Sequence, residues 1–301
     1  MAEQILFIVN RKAGTDHKQA FPEAVARFLD TARFSYRIVY TEFRGHGVDL
    51  AREAARNGVA MVVAVGGDGS VNEAARGLVN TDTVLAIIPR GSGNGLARFL
   101  HIPRDIRGAL EVINRGVPRS IDVGFANGHL FLSNAGVGFD TLIATLFSEN
   151  KGRGLFNYAR LVLTAIFRYR PVTYRLRTET GEWHHRAFFV TAANANQFGY
   201  GFQIAPQAKI DDGFLDICIM GPLHWWQLAA VSLRALAGKL PGSRYAGYLH
   251  CQSVVIAAGE PISALQVDGD AVPVEKGEVV IEVRQKALRV LVPQRMATAL
   301  K

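Results

Sequence analysis

Met61-Val62-Val63-Ala64-Val65-Gly66-Gly67-Asp68-Gly69-Ser70-Val71-Asn72-Glu73 is the stretch that decides the fold. Met61–Val65 is apolar without interruption and rich in valine, the pattern of a strand covered on both faces. Glycines end it, and apolar residues return at helical spacing through Leu78. A buried strand that turns on glycine straight into a helix is half of a strand–helix–strand unit. Gly66, Gly67 and Gly69 let the backbone approach a phosphate without a Cβ in the way, and the free N–H groups of a helix start attract anions. Asp68 is acidic beside that position, which makes sense once Mg²⁺ travels with a nucleotide, because this ion prefers carboxylate oxygen and water. Asp68 then either holds the ion or takes a proton from an attacking hydroxyl; the plain alternative is a helix cap.

The theme repeats on both sides. Val84–Ile88 is a second buried-type strand, and it runs through Pro89-Arg90-Gly91-Ser92-Gly93-Asn94-Gly95 into a helical stretch from Leu96. Ile5–Val9 is a third, ending at Asn10-Arg11-Lys12-Ala13-Gly14. Between them, Phe21, Val25, Phe28 and Leu29 fall at helical spacing, Arg37–Tyr40 is strand-like and Val48–Ala55 is helical again. This alternation predicts a parallel sheet with helices on both faces. The three polar turns would share its carboxyl edge, where open α/β sheets bind ligands. One such turn is common; three converging turns with Arg, Lys, Ser and Asn make a phosphate site. No GxxxxGK[ST] is present, and no GxGxxG follows the first strand.

Near Ile121 the grammar changes. Leu130–Asn134, Tyr174–Thr178, Phe188–Ala192, Leu215–Met220, Val254–Ala257, Val279–Val283 and Leu288–Val292 read as strands with few helices between them, which suggests an antiparallel sandwich or barrel. The expected division is an α/β nucleotide-binding domain over residues 1–124 and a β-sandwich over 125–289. Whether residues from about 290 to 301 return to the first domain is open. Leu155–Tyr169 and Leu223–Ala237 are the expected helices of the second half, the latter carrying Trp225 and Trp226 and stopping at Gly238. Each reads either as an interfacial helix, with aromatics in a bilayer and arginines at headgroups, or as an ordinary core helix.

The 301 residues suffice for two domains, and 49% hydrophobic with 20% charged residues is ordinary globular composition. The net charge of +8 favours anionic partners without choosing among nucleotides, nucleic acid and membrane. No recognised nucleic-acid motif is present, so that partner is not expected. Cys218 and Cys251 lie far apart and outside any CxxC spacing, which points to a reducing cytoplasm and to neither a disulfide framework nor a zinc site. The first residues read as a strand and not as a signal peptide, and no apolar run is long enough to cross a bilayer. The histidines His46, His184, His185 and His250 have no HExxH spacing, and GSGNG is not the GxSxG of a hydrolase.

The segments GGDGSVNE (66–73), PRGSGNGLAR (89–98), NAGVGFD (134–140) and VDGD (267–270) occur in that order. Together they resemble the diacylglycerol kinase catalytic-domain family, which includes soluble bacterial lipid kinases and sphingosine kinases, over nearly the whole chain. The resemblance implies an N-terminal α/β domain of the phosphofructokinase and NAD kinase kind, a C-terminal β-sandwich, and an ATP-dependent lipid kinase acting on a diacylglycerol-like or sphingoid-base-like hydroxyl. Carried over by motif, it implies that Asn10, Arg11, Lys12, Ala13, Gly14, Thr41, Gly66, Gly67, Asp68, Gly69, Ser70, Val71, Asn72 and Ser92 surround ATP. It implies that the acidic residue closing the DGE motif accepts the proton. Asp270 stands there, so this chain has DGD, and Asp68 is the rival base. It further implies a structural Mg²⁺ at Asp211-Asp212-Gly213, with the Asp212 carboxylate and the carbonyls of Lys209 and Phe214 as ligands. Other departures are NRKAG for the usual NPxSG and Ser92 for the commoner Thr. The expected protein is cytoplasmic and meets its lipid substrate as a peripheral visitor to the membrane; a homodimer is among the assemblies left open. The alternatives are a kinase of a soluble substrate such as NAD, and a non-catalytic lipid-binding protein on the same scaffold.

Overall fold

The computed structural model describes residues 2–11, 20–149, 155–199 and 202–297. The chain divides into two units, Met1–Asp122 with Gln285–Lys301, and Val123–Arg284.

The first unit alternates strand and helix: β1 (Glu3–Asn10), α1 (Ala20–Phe28), β2 (Phe34–Thr41), α2 (His46–Arg56), β3 (Met61–Gly66), α3 (Asp68–Leu78), β4 (Val84–Pro89), α4 (Gly95–Phe99), α5 (Ile106–Arg115) and β5 (Val117–Ala126). The strand order is β2-β1-β3-β4, all parallel. Every residue of β3 and β4 is buried, as strands covered on both faces must be. Helix α2 packs on α3 closely enough that a Cβ at Gly77 would stand 2.6 Å from the Ala51 Cβ, and α1 packs on α5.

The second unit contains β6 (His129–Phe131), β7 (Asn134–Gly138), α6 (Phe139–Glu149), α7 (Leu155–Ile166), β8 (Val172–Thr178), β9 (Gly181–Ala187), β10 (Phe189–Ala193), β11 (Gln197–Gly199), β12 (Phe202–Gln203), β13 (Leu215–Met220), α8 (Leu228–Leu236), β14 (Ala246–Cys251), β15 (Ser253–Ala258), β16 (Ala264–Val267) and β17 (Asp270–Pro273). The long β18 (Val279–Val292) and the short α9 (Gln294–Ala297) end the described chain. Six strands form one antiparallel sheet in the order β14-β13-β10-β7-β16-β17. Strands β9, β8, β15 and the first part of β18 form the facing antiparallel layer. The sandwich core lies between them: Val137, Val190, Ile217 and Leu265 from the first sheet meet Leu176, Val254, Ile256 and Ile281 from the second. The later part of β18 belongs to the first unit, where Val290 pairs with Leu85 of β4 in parallel register.

Helices are more prominent past residue 121 than the sequence suggests. Alternation along a strand turns Phe189, Cys218 and Met220 to the other face of the six-stranded sheet, and α6, α7 and α8 cover that face with Phe139, Ile143, Ala165, Ile166, Val231 and Ala235. The inward faces of α7 and α8 are therefore core. No helix among the described residues is long and apolar enough to cross a membrane.

Candidate functional site

The site is assembled at the carboxyl edge of the parallel sheet. The first two glycine turns touch backbone to backbone: a Cβ at Gly91 would lie 2.6 Å from the Gly67 Cα, and one at Gly67 would lie 3.2 Å from the Gly91 Cα. Only glycine permits that approach. The Gly66 carbonyl accepts the Arg90 amide at 2.7 Å, extending the ladder one step beyond the strands. Asp68, the first residue of α3, then ties the turns together, its two oxygens accepting the amides of Gly95 at 2.7 Å and Asn94 at 2.8 Å. Burial pushes its carboxyl above its ordinary value, against the pull of those amides and of the Arg98 charge. Asp68 thus caps α4, a neighbouring helix, while opening its own.

The other described residues expected at this site lie on β1 or directly after it, on β2, on α3 and in the second glycine turn. Asn10 ends β1 and donates from Nδ2 to Ser70 Oγ at 3.2 Å, so the first turn is fastened to the second. Thr41 ends β2 directly opposite Asn10 in register. The Arg11 guanidinium lies 5.3 Å from the centre of the Tyr40 ring. Val71 is buried, Gly69 and Ser92 are exposed, and Asn72 is half-buried on α3. Lys12, Ala13 and Gly14 lie outside the described residues.

Three residues matter here that the sequence reading gave no role. Asn94 closes the second turn on itself, accepting the Gly91 amide at 3.0 Å and donating to the Gly91 carbonyl at 2.6 Å. Its φ of 53° is left-handed, a conformation asparagine tolerates. Arg98 donates from Nε to the Gly93 carbonyl at 2.8 Å. Glu73 accepts the amides of Gly45 at 2.8 Å and Gly47 at 3.1 Å, bracing the loop between β2 and α2 from inside the first motif. A glutamate one turn into a helix that follows a glycine turn was the available signal, but its partner loop is remote in sequence.

In the second unit the VDGD and NAGVGFD motifs form one knot. Asp268, at φ 48°, accepts the amides of Leu132 at 2.9 Å, Ser133 at 2.8 Å and Asn134 at 3.2 Å, and its own amide donates to the Asn134 carbonyl. Gln266 donates from Nε2 to Asn134 Oδ1 and accepts the Gly269 amide at 2.8 Å. The knot sets the turn that delivers Asp270, exposed at the start of β17. Replacing Asp268 by Ala removes the acceptor of three amides, and a lowered denaturation midpoint is expected, equivalent to about 3 kcal/mol. Chemical denaturation of the variant beside wild type measures it; an unchanged midpoint would mean that the knot contributes nothing to stability.

Asp140 closes the second motif. It accepts the Thr191 hydroxyl at 2.6 Å and the Thr141 amide at 2.8 Å, and burial raises its pKa from 3.8 to about 6. Below pH 3.8 the carboxyl is protonated in folded and unfolded chains alike. As pH rises towards 6 the unfolded carboxyl ionises while the folded one keeps its proton, so folding loses stability across that window. Asp140→Asn is expected to shrink the fall in melting temperature between pH 4 and pH 6.5, with thermal melts across the range as the check.

The Asp-Asp-Gly turn holds together through Asp212, whose Oδ1 accepts the Phe214 amide at 3.1 Å. No group of three or more His, Cys, Asp or Glu side chains gathers around a metal position among the described residues. A cation at this turn would rely on the Asp212 carboxylate with the backbone carbonyls of Lys209 and Phe214. Those are all hard oxygen donors and suit Mg²⁺ or Ca²⁺.

Residues 4–126 match the model of the diacylglycerol kinase catalytic domain, and residues 133–292 match that of the YegS C-terminal NAD kinase beta sandwich-like domain. A Pseudomonas aeruginosa protein named "Probable lipid kinase YegS-like" is 30% identical over 96% of this chain and 94% of its own length. A Bacillus subtilis diacylglycerol kinase is 28% identical over 95% and 96% respectively. A YegS-like protein of Chromohalobacter salexigens is 38% identical over 58% of each chain. Among solved structures, a diacylglycerol kinase from Bacillus anthracis superposes with a TM-score of 0.76 at 24% identity, covering 97% of this chain and 98% of that one. Yeast NADH kinase, solved with NADH, superposes with a TM-score of 0.55 at 10% identity over 98% and 84%. At those identities the two structures speak for the fold alone.

Proposed function

This chain belongs to the diacylglycerol kinase catalytic-domain family, and from that membership we propose that it moves the γ-phosphate of ATP onto the hydroxyl of a lipid, diacylglycerol-like or sphingoid-base-like. The observation that carries the reading is the joined pair of glycine turns, locked by Asp68 through the Asn94 and Gly95 amides. Phosphoryl transfer depends mainly on positioning and on electrostatic support of the phosphate oxygens. Backbone amides fixed in this way are an anion cradle that need not reorganise when charge develops. Asn10, Arg11, Thr41, Ser70 and Ser92 surround the nucleotide in this account. Asp270 accepts the proton of the lipid hydroxyl, because Asp68 already spends an acceptor site on each oxygen in holding the turns. Bound Mg²⁺ supplies charge neutralisation on the phosphates and, at the Asp212 turn, a structural tie.

The test is a panel. Mg-ATP is offered with dispersed diacylglycerol, monoacylglycerol, ceramide, sphingosine and phosphatidylglycerol, with NAD and fructose 6-phosphate as soluble controls, and products are weighed by mass spectrometry. A lipid heavier by one phosphoryl group is expected. Phosphorylated NAD with no lipid product would overturn the acceptor class.

A further inference from the structure

Most large apolar side chains of the described residues are buried, and the exposed exceptions are not scattered. Apart from Phe43 and Val280, they are Leu163, Phe167, Trp225, Trp226, Leu233 and Leu236, all on α7, on α8 or beside them. Phe167 is 62% exposed and both Trp225 and Trp226 are 58% exposed, although their inward neighbours Ile166 and Val231 are packed in the core. The rings are in contact: the Phe167 and Trp225 centroids lie 6.2 Å apart, Trp225 and Trp226 6.0 Å apart. Leu163, exposed on α7, lies four residues before Phe167, which directly follows that helix.

The charged residues along the two segments that carry this patch have one sign. Residues 155–178 include Arg160, Arg168 and Arg170 and no Asp or Glu, and residues 217–259 contain Arg234, Lys239 and Arg244 and likewise no Asp or Glu. Arg168 and Arg170 are exposed beside Phe167. Exposed tryptophan and phenylalanine on segments whose charged residues are arginine and lysine match the layering of a bilayer surface, with rings at headgroup depth and guanidinium groups on lipid phosphates.

We propose that this face, built from Leu163, Phe167, Trp225 and Trp226 with Arg168 and Arg170, docks on an anionic lipid bilayer. The proposal deepens the lipid-kinase reading, since an acceptor embedded in a membrane must be reached from its surface. It needs no nucleotide: docking belongs to the second unit's own surface and is present in the resting protein. The surface potential of anionic lipid attracts each arginine, and the aromatic rings add burial, so both kinds of side chain contribute to affinity.

The experiment uses the full chain without nucleotide. Co-sedimentation is measured with phosphatidylcholine vesicles and with mixed phosphatidylcholine–phosphatidylglycerol vesicles. Wild type, Phe167→Ala/Trp225→Ala/Trp226→Ala and Arg168→Glu/Arg170→Glu are compared, with circular dichroism confirming the fold of each. Partitioning onto the mixed vesicles that falls about tenfold or more in both variants is expected. No wild-type binding, equal binding to both vesicles, or variants that bind like wild type would each overturn the proposal. So would a wild-type dimer in analytical ultracentrifugation that the aromatic variant loses, because the face would then belong to a second copy of the chain. Phosphorylation of a monodisperse short-chain diacylglycerol, run in parallel, separates the two readings. Patch-dependent docking without phosphorylation of any lipid would sink the kinase reading and leave the docking surface standing.

Discussion

Asp270→Asn is expected to lower lipid phosphorylation by about 10²–10⁴-fold with little change in ATP affinity, because in the proposed mechanism the amide cannot take the proton of the attacking hydroxyl. The residue is exposed at the start of β17, outside the buried core. Its turn is held by Asp268 and Gln266, which the substitution leaves in place. Asp270→Glu is the informative companion: it keeps the carboxylate and restores the residue usual in the family motif, so substantial activity is expected to persist. Single-turnover rates and nucleotide titration of the three proteins measure both effects. An Asp270→Asn protein with full turnover would take this residue out of the chemistry.

Asp68→Asn is expected to fail differently. Both Asp68 oxygens accept backbone amides, and an asparagine offers only one oxygen, so its NH₂ must face either the Asn94 or the Gly95 amide. The second glycine turn then shifts against the first, and small misplacements of a reacting group cost about 10²-fold in rate. Because the turns would hold the nucleotide itself, KM for ATP rises together with the fall in kcat. A variant that lost kcat alone, with KM unchanged, would return Asp68 to the role of base. The contrast between the two aspartates lies in which constant moves.

Much of this architecture is legible in the sequence. Met61–Val65 and Val84–Ile88 could be read as buried parallel strands because covering both faces leaves no polar position, and β3 and β4 are buried throughout. Glycine turns after such strands could be read as places of close backbone approach because the reason for glycine is local, and Gly67 and Gly91 do meet there. What was not legible depended on distant partners. Glu73 reads as one more helix glutamate until Gly45 and Gly47 are beside it. Asp268 and Asp270 are equivalent in the string DGD, and only the Leu132–Asn134 amides show that the first is committed to the fold. Helix α6 had a readable period, with Phe139, Leu142, Ile143 and Leu146 at helical spacing, but it was hidden by the strand-rich grammar around it. The helices α7 and α8 allowed an interfacial and a core reading; the core reading holds for the faces packed against the sheet, while Phe167, Trp225 and Trp226, which flank the two helices, are exposed.

The most direct measurement is transfer of radiolabelled γ-phosphate from Mg-ATP to dispersed diacylglycerol and sphingosine, wild type beside Asp270→Asn. Label in one lipid from the wild type, lost in a variant that still binds ATP, is the predicted result. No labelled lipid from a folded wild-type chain that binds ATP, or label that persists undiminished in the variant, would contradict the account.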